Sequence, residues 1–407
     1  MDLLSLRKNV LGLICLVITA VIFLAGLWPF NFSPENKVRW LADQNGVEFY
    51  GPALVFSTIP SSVFTVSTRN TQLATRNSHH TSATPFFQSS NIPVKSCSIE
   101  LFLQPTSEDI SHIGHIFSIL NEQGSETFFV GQWRSHLLLR KGIHDKKNYR
   151  EIGVRDALKK GDKRFVTITS GADGTNIYID GILMKSSPRF QLFSMNEKPS
   201  GRILLGNSPK GGGYWTGNLF GLAIYNRSLS EEQVLKSFEN WEKNKKSLFQ
   251  KEEGLVLSYL FNEHSGTLAH DSVGGHNLVI PSKFEVLKKT TLVPPWEDFP
   301  FTRSYLMDIL TNILGFIPFG FFFSAYLRMK KPRSNFRLLL LSVIIAGCMS
   351  LLIELTQVYL PARSSQLTDV ISNMVGTALG VVLFYFYPHN KKYNSTNLPI
   401  FHSSTLP

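Results

Sequence analysis

Asp308 and Asn312 sit one helical turn apart inside an apolar run; Glu354 and Gln357 do the same in a second run, and Asp369 and Asn373 in a third. Polar groups are costly in hydrocarbon, so at such places they mark a ligand or ion site, or a hydrogen-bond network. Carboxylates can act as bases and amides can hold a ligand by donating and accepting hydrogen bonds. Arg363 lies between the second and third sets, close enough along the chain to pair with Glu354 or Asp369. One reading makes Glu354 or Asp369 a base and has Arg363 grip an anionic head group. A purely structural network accounts for the same residues as well, although charged groups are an expensive way to build one.

Elements of defined length must position these residues. Three-or-four spacing puts each set on one helix face. Asp308 and Asn312 continue into Gly315, Pro318 and Gly320, Glu354 and Gln357 follow Gly347 and Ser350, and Asp369 and Asn373 lead to Gly376 and Gly380. Gly315, Gly376 and Gly380 read as helix-packing positions. The apolar runs cover 308–327, 338–360 and 367–387. At 1.5 Å per residue each spans roughly 30 Å of hydrocarbon. Glu354 falls about six residues, roughly 9 Å, from its end of the run, and Asn312 and Asn373 about four residues inside theirs, so the stripes share face and depth. A fourth run, 10–30, follows Arg7 and Lys8 and ends in Leu27-Trp28-Pro29-Phe30. That is an interfacial aromatic cluster rather than a small-residue cleavage site, which predicts an uncleaved anchor.

The chain has 407 residues and a formal net charge of +11. Its basic residues flank the apolar runs, which points to a membrane surface and not to nucleic acid. Arg7 and Lys8, then Arg328, Lys330, Lys331, Arg333 and Arg337, then Lys391 and Lys392 all fall on one side of a four-helix arrangement. By the positive-inside rule that side is the cytoplasm, which leaves 31–305 and the short loop 361–366 outside. Of the three cysteines, Cys15 and Cys348 lie in apolar runs, and Cys97 alone falls in the soluble region. This excludes an intradomain disulfide and a zinc knuckle.

The region between the first and second runs reads as β. Ser98-Ile99-Glu100-Leu101-Phe102-Leu103 and Phe165-Val166-Thr167-Ile168-Thr169 alternate, and Asp173-Gly174 and Asp180-Gly181 are turn signals around Asn176-Ile177-Tyr178-Ile179. Further strands are expected at Arg202-Ile203-Leu204-Leu205 and 219–225, and one helix over 230–245 with Ser230 as cap and Gln233 three residues on. Regular strand spacing predicts an antiparallel sandwich.

The order of strand, Asp-Gly turn, strand, Leu205-Gly206, then Gly221-Leu222-Ala223-Ile224-Tyr225-Asn226-Arg227 resembles the concanavalin A-like jelly roll of LamG-type domains, over roughly 36–290. The segment 255–281 resembles the stretch that usually opens such domains, and in this permuted place it could pair with the strand near Val47-Glu48-Phe49. The resemblance implies glycan binding or, in some relatives, hydrolysis. Retaining hydrolysis needs two carboxylates about 5 Å apart. No expected strand offers two on one face: Glu100 stands alone and Glu108-Asp109 sit in a polar turn. Trp133, Tyr214 and Trp215 are candidates for stacking on a sugar, against the plain alternative of core or rim packing. Asp173, Asn176 and Asp180 are candidates for calcium, against the plain alternative of turn residues; no other cofactor is indicated.

The helical runs carry a second resemblance. Asp308, Asn312, Phe316, Pro318 and Gly320, then Glu354, Gln357 and Arg363, then Asp369, Asn373, Gly376 and Gly380 resemble the pattern of the VanZ family, and Pro29-Phe30 resembles the end of its opening helix. That resemblance implies a bacterial cell-membrane protein and an association with resistance to the glycopeptide teicoplanin. The expected fold is mixed: a membrane bundle of four transmembrane helices plus an all-β jelly-roll sandwich. The expected domains are an anchor at 1–30, a jelly roll at 36–290, a VanZ-like part at 300–390 and a cytoplasmic tail at 391–407. The expected partners are the lipid bilayer and an envelope glycan or protein ligand held by the outer domain. The alternatives are a membrane-embedded enzyme acting on a lipid-linked envelope substrate, or an assembly factor that docks a protein.

Overall fold

The computed structural model describes residues 3–57, 96–108, 112–142, 150–193, 201–243, 253–273, 275–296, 303–330 and 334–386. Asp109, Lys331, Arg333, the helix end at Lys245 and the tail with Lys391 and Lys392 lie outside the described residues. The chain forms two compact units: Met1–Phe30 with Thr290–Pro407, and Asn31–Lys289 inserted in sequence between those two segments.

In chain order, helix α1 (Leu3–Leu27) precedes strands β1 (Val38–Trp40), β2 (Val47–Phe49), β3 (Val55–Ser57), β4 (Cys97–Pro105), β5 (Gly114–Leu120), β6 (Glu126–Trp133), β7 (His136–Lys141) and β8 (Arg150–Val154). Then come β9 (Arg164–Gly171), β10 (Gly174–Ile179), β11 (Ile182–Ser187), β12 (Arg202–Leu205), β13 (Gly217–Tyr225), helix α2 (Glu231–Glu242), β14 (Leu255–Tyr259), β15 (Leu268–Ala269) and β16 (Leu278–Val279). Helices α3 (Arg303–Lys330), α4 (Asn335–Gln357) and α5 (Leu367–Phe386) close the chain.

The inserted unit is a jelly-roll-like sandwich. Among the described residues one sheet runs β1-β2-β13-β4-β9-β10-β11, with β14 also on β13, and the other runs β15-β16-β3-β12-β5-β6-β7-β8. Strand alternation explains the layering: Ile99, Leu101 and Leu103 of β4 point into the core with Phe117, Val130 and Leu205, whereas Phe102 packs on the opposite face. That outer face is covered by α2, where Val234 and Trp241 meet Phe165, Tyr178 and Tyr225. Ser230 and Gln233 form the expected capping box at the start of α2.

The permuted segment pairs differently from expectation. β14 joins Leu222–Tyr225 of β13, while β2 joins Gly217–Leu219 of the same strand. The nine residues of β13 are long enough to hold two short strands end to end on one edge. β2 and β14 therefore share a partner and do not pair with each other.

The other unit contains α1, α3, α4 and α5, which among the described residues are the four helices long and apolar enough to cross a membrane. α3 starts at Arg303, five residues before the expected edge at Asp308, because the polar Arg303-Ser304 turn is helical too. α4 stops at Gln357, where the backbone turns and the Leu360 N–H donates to the Gln357 carbonyl at 2.9 Å. Pro361 disfavours helical geometry in the residue before it, so the run cannot continue to 360 as helix. α3 and α5 pack through glycines: a Cβ on Gly376 would collide with the Ile313 carbonyl, and one on Gly380 with the Ile317 carbonyl. Gly315 differs. A Cβ there would meet nothing within 4 Å, because the residue faces a cavity and not a helix.

Candidate functional site

That cavity, of about 420 Å³, lies where the end of α1, the start of α3, the end of α4 and the start of α5 come together. Asp308 and Asn312 line it from α3, Glu354 and Gln357 from α4, Asp369 and Asn373 from α5, and Arg363 from the loop between α4 and α5. The structure thus brings every member of the sequence-derived polar cluster to one place. Glu354 is 2 % exposed and Asn373 6 % exposed, so these are buried groups with defined partners.

The partners differ from the simplest expectation. Among the described residues Arg363 forms no ion pair with Glu354 or Asp369; its Nε donates to the Trp28 carbonyl at 3.0 Å and its Nη2 to the Ala25 carbonyl at 3.4 Å. The end of α1 leaves carbonyls without helical partners, and Arg363 satisfies them. Gln357 serves the same end, its Nε2 donating to the Gly26 carbonyl at 2.8 Å. Glu354 Oε2 accepts the backbone N–H of Gln366 at 2.7 Å. The Asn373 side chain donates to Ser350 Oγ at 2.8 Å, while its Oδ1 is buried without a partner.

Sequence reasoning missed Gln366. Its backbone, not its side chain, supplies the key contact, and it is fixed by a short parallel bridge to Val293 that no motif announces. The carbonyls of α1 were missed for the same reason.

The inserted unit carries a second candidate. Trp133, 42 % exposed, opens on a groove of about 390 Å³ on the outward face of β6, β7 and β8, with His136, Leu138, Arg140 and Glu151. Arg140 and Glu151 pair across β7 and β8 at 2.6 Å. Arg140 also stands over the Phe129 ring, on which His115 stacks at 3.8 Å. His115 Nδ1 and Ser118 Oγ both meet Glu126 Oε1, at 2.7 and 2.6 Å. The sequence reading named Trp133 but missed its companions, because they come from four strands.

The remaining candidates separate. Trp215 is a correction: it is fully buried, with Nε1 donating to Gln132 Oε1 at 2.7 Å, so no sugar can reach its ring. Tyr214 packs against His112, with ring centroids 4.7 Å apart. Asp173 precedes β10 and Asp180 follows it, with Asn176 between them. A strand of that length spans roughly 20 Å, so the two carboxylates cannot share one cation. Asp180 is already engaged, accepting from Arg164 at 2.8 Å and from the Phe165 N–H at 2.9 Å.

Fold and site together define a membrane helix bundle that carries an inserted jelly-roll domain. A family model described as VanZ/LLP1 matches residues 236–388, and one described as the concanavalin A-like lectin/glucanases superfamily matches residues 77–235. The chain is therefore VanZ-like, with an inserted LamG-type domain; the first part of the VanZ/LLP1 match runs over α2 and β14 to β16 of the jelly roll. No curated protein matches the chain in sequence. Among solved structures, the binding domain of botulinum neurotoxin DC in complex with rat synaptotagmin II is similar at 16 % identity and a TM-score of 0.30, over 37 % of each chain. The Ruminococcus gnavus IT-sialidase CBM40 bound to α2,3-sialyllactose is similar at 14 % identity and a TM-score of 0.31, over 36 % of this chain and 84 % of that one.

Proposed function

We propose that this chain is an envelope protein of the bacterial cytoplasmic membrane whose inserted domain faces outward and binds a glycan along the strip around Trp133. The observation that carries the reading is the groove beside Trp133 and the Arg140–Glu151 pair. An exposed indole offers an apolar face to a sugar ring, and a fixed guanidinium–carboxylate pair offers donors and acceptors to its hydroxyls. The basic residues beside the helices support cytoplasmic termini. The VanZ likeness supports a role in the response to glycopeptides such as teicoplanin.

Full-length protein in nanodiscs, applied to an array of bacterial envelope glycans, tests the reading. Saccharide-selective binding is the expected result; no binding to any glycan would remove it. A second reading, chemistry on a lipid-linked envelope substrate, is favoured by the carboxylates that line the membrane cavity. Turnover of such a substrate that stops in Glu354→Gln or Asp369→Asn would establish that reading.

A further inference from the structure

The membrane cavity is unequal in donors and acceptors, and the inequality has a sign. Its donors are largely used by the protein itself. Gln357 donates to the Gly26 carbonyl of α1, and Arg363 gives two of its five N–H donors to the Ala25 and Trp28 carbonyls at the end of that segment. Thr311 gives its hydroxyl proton to the Met307 carbonyl, and the Gln366 side-chain amide reaches Ser364 Oγ at 3.3 Å. Asn312 turns toward Asp369. The acceptors are not used up. Among the described residues Asp308, Glu354 and Asp369 have no ion-pair partner, and Asn373 Oδ1, in a residue 6 % exposed, has no hydrogen bond. An anionic head group would meet three carboxylates here against the single guanidinium of Arg363, two of whose donors are already held by backbone carbonyls.

We propose that this cavity binds a protonated primary amine, whose three N–H donors and positive charge complement the Asp308, Asp369 and Asn373 acceptors. A quaternary ammonium has the charge without the donors, so it fits the carboxylates and leaves the amide oxygen unmet. Two sources present the same chemistry: the ethanolamine head group of a lipid in the bilayer, and a small soluble amine. The inference is independent of glycan binding by the other unit.

The test uses the full-length protein in phosphatidylcholine nanodiscs, with phosphatidylethanolamine added to the bilayer in one arm and ethanolamine added to the solution in another. Native mass spectrometry reads lipid retention and a thermal melt reads protection. Phosphatidylethanolamine should be retained about ten-fold over phosphatidylcholine, the scale of one charge-assisted hydrogen bond. Protection by dissolved ethanolamine without lipid selectivity would assign the same site to a soluble amine. Asp308→Asn changes an exposed position of α3, so the bundle should still melt cooperatively while the selectivity is lost. Asp369→Asn should act likewise, and Arg363→Gln should leave the selectivity in place. Equal retention of both lipids with no protection by ethanolamine would overturn the proposal. So would a preference for phosphatidylglycerol that Arg363→Gln removes, or equal protection by calcium alone.

Discussion

The backbone N–H of Gln366 donates to Glu354 Oε2 at 2.7 Å, so a carboxylate near the end of α4 holds the loop that leads into α5. The same loop is tied to Val293, whose N–H donates to the Ser365 carbonyl and whose carbonyl accepts from Leu367, both at 3.0 Å. Glu354 is thus both a wall of the cavity and a clasp on its loop.

That double role separates two substitutions. Glu354→Gln keeps an oxygen for the Gln366 N–H and should change stability little. Glu354→Leu leaves that buried donor unmet and should cost about 1–3 kcal/mol. Thermal unfolding in detergent checks this; equal melting of both variants would show that the clasp carries no weight.

The glycines give a sharper contrast. Gly376→Ala forces a methyl group against the Ile313 carbonyl, so α3 and α5 must part, at a cost of roughly 1–3 kcal/mol. Gly315→Ala meets open space and should hold or slightly raise the melt, since Ala is the better helix former, while narrowing the cavity. Similar losses from both would contradict the packing described.

Cys97 is fully buried in the sandwich, and burial pushes its thiol from 9.0 up to about 12. The folded state disfavours the thiolate. This thiol therefore adds no pH dependence to stability below about 9, and reduces stability as pH rises from there toward 12. Thiol reagents at pH 8 should label Cys97 only at the rate of unfolding. Prompt labelling of the native chain at this position would show that the core is open.

Much of the fold was legible because its signals are local. Helix-spaced Glu354, Gln357, Asp369 and Asn373 placed the polar cluster, though not the cavity it lines, and Ser230 with Gln233 placed the start of α2. The sharing of β13 by β2 and β14 was not legible, since both segments alternate suitably and only tertiary pairing decides which edge each takes. Trp215 was open in sequence between sugar stacking and core packing, and only the tertiary fold, which turns its indole inward to Gln132, decides for the core. The donors of Arg363 could not be assigned from sequence either. The competing acceptors are backbone carbonyls at and just past the end of α1, more than three hundred positions away.

Orientation in the membrane has a direct test. In a cysteine-free background, an impermeant thiol reagent applied from outside should reach a cysteine at Lys210, an exposed position of the jelly roll. It should spare a cysteine at Lys330, the exposed end of α3, until the membrane is broken. The reverse pattern would turn the chain over and remove the outward-facing domain.

The glycan-binding face is tested most directly by one titration. The saccharide that binds best is titrated into full-length protein and into Trp133→Ala, with Tyr214→Ala, an aromatic outside the groove lining, as control. Loss of the indole should weaken binding by about ten-fold or more in Trp133→Ala, the scale on which truncating an aromatic anchor of a binding face acts, and Tyr214→Ala should bind normally. Unchanged affinity in Trp133→Ala would contradict the account.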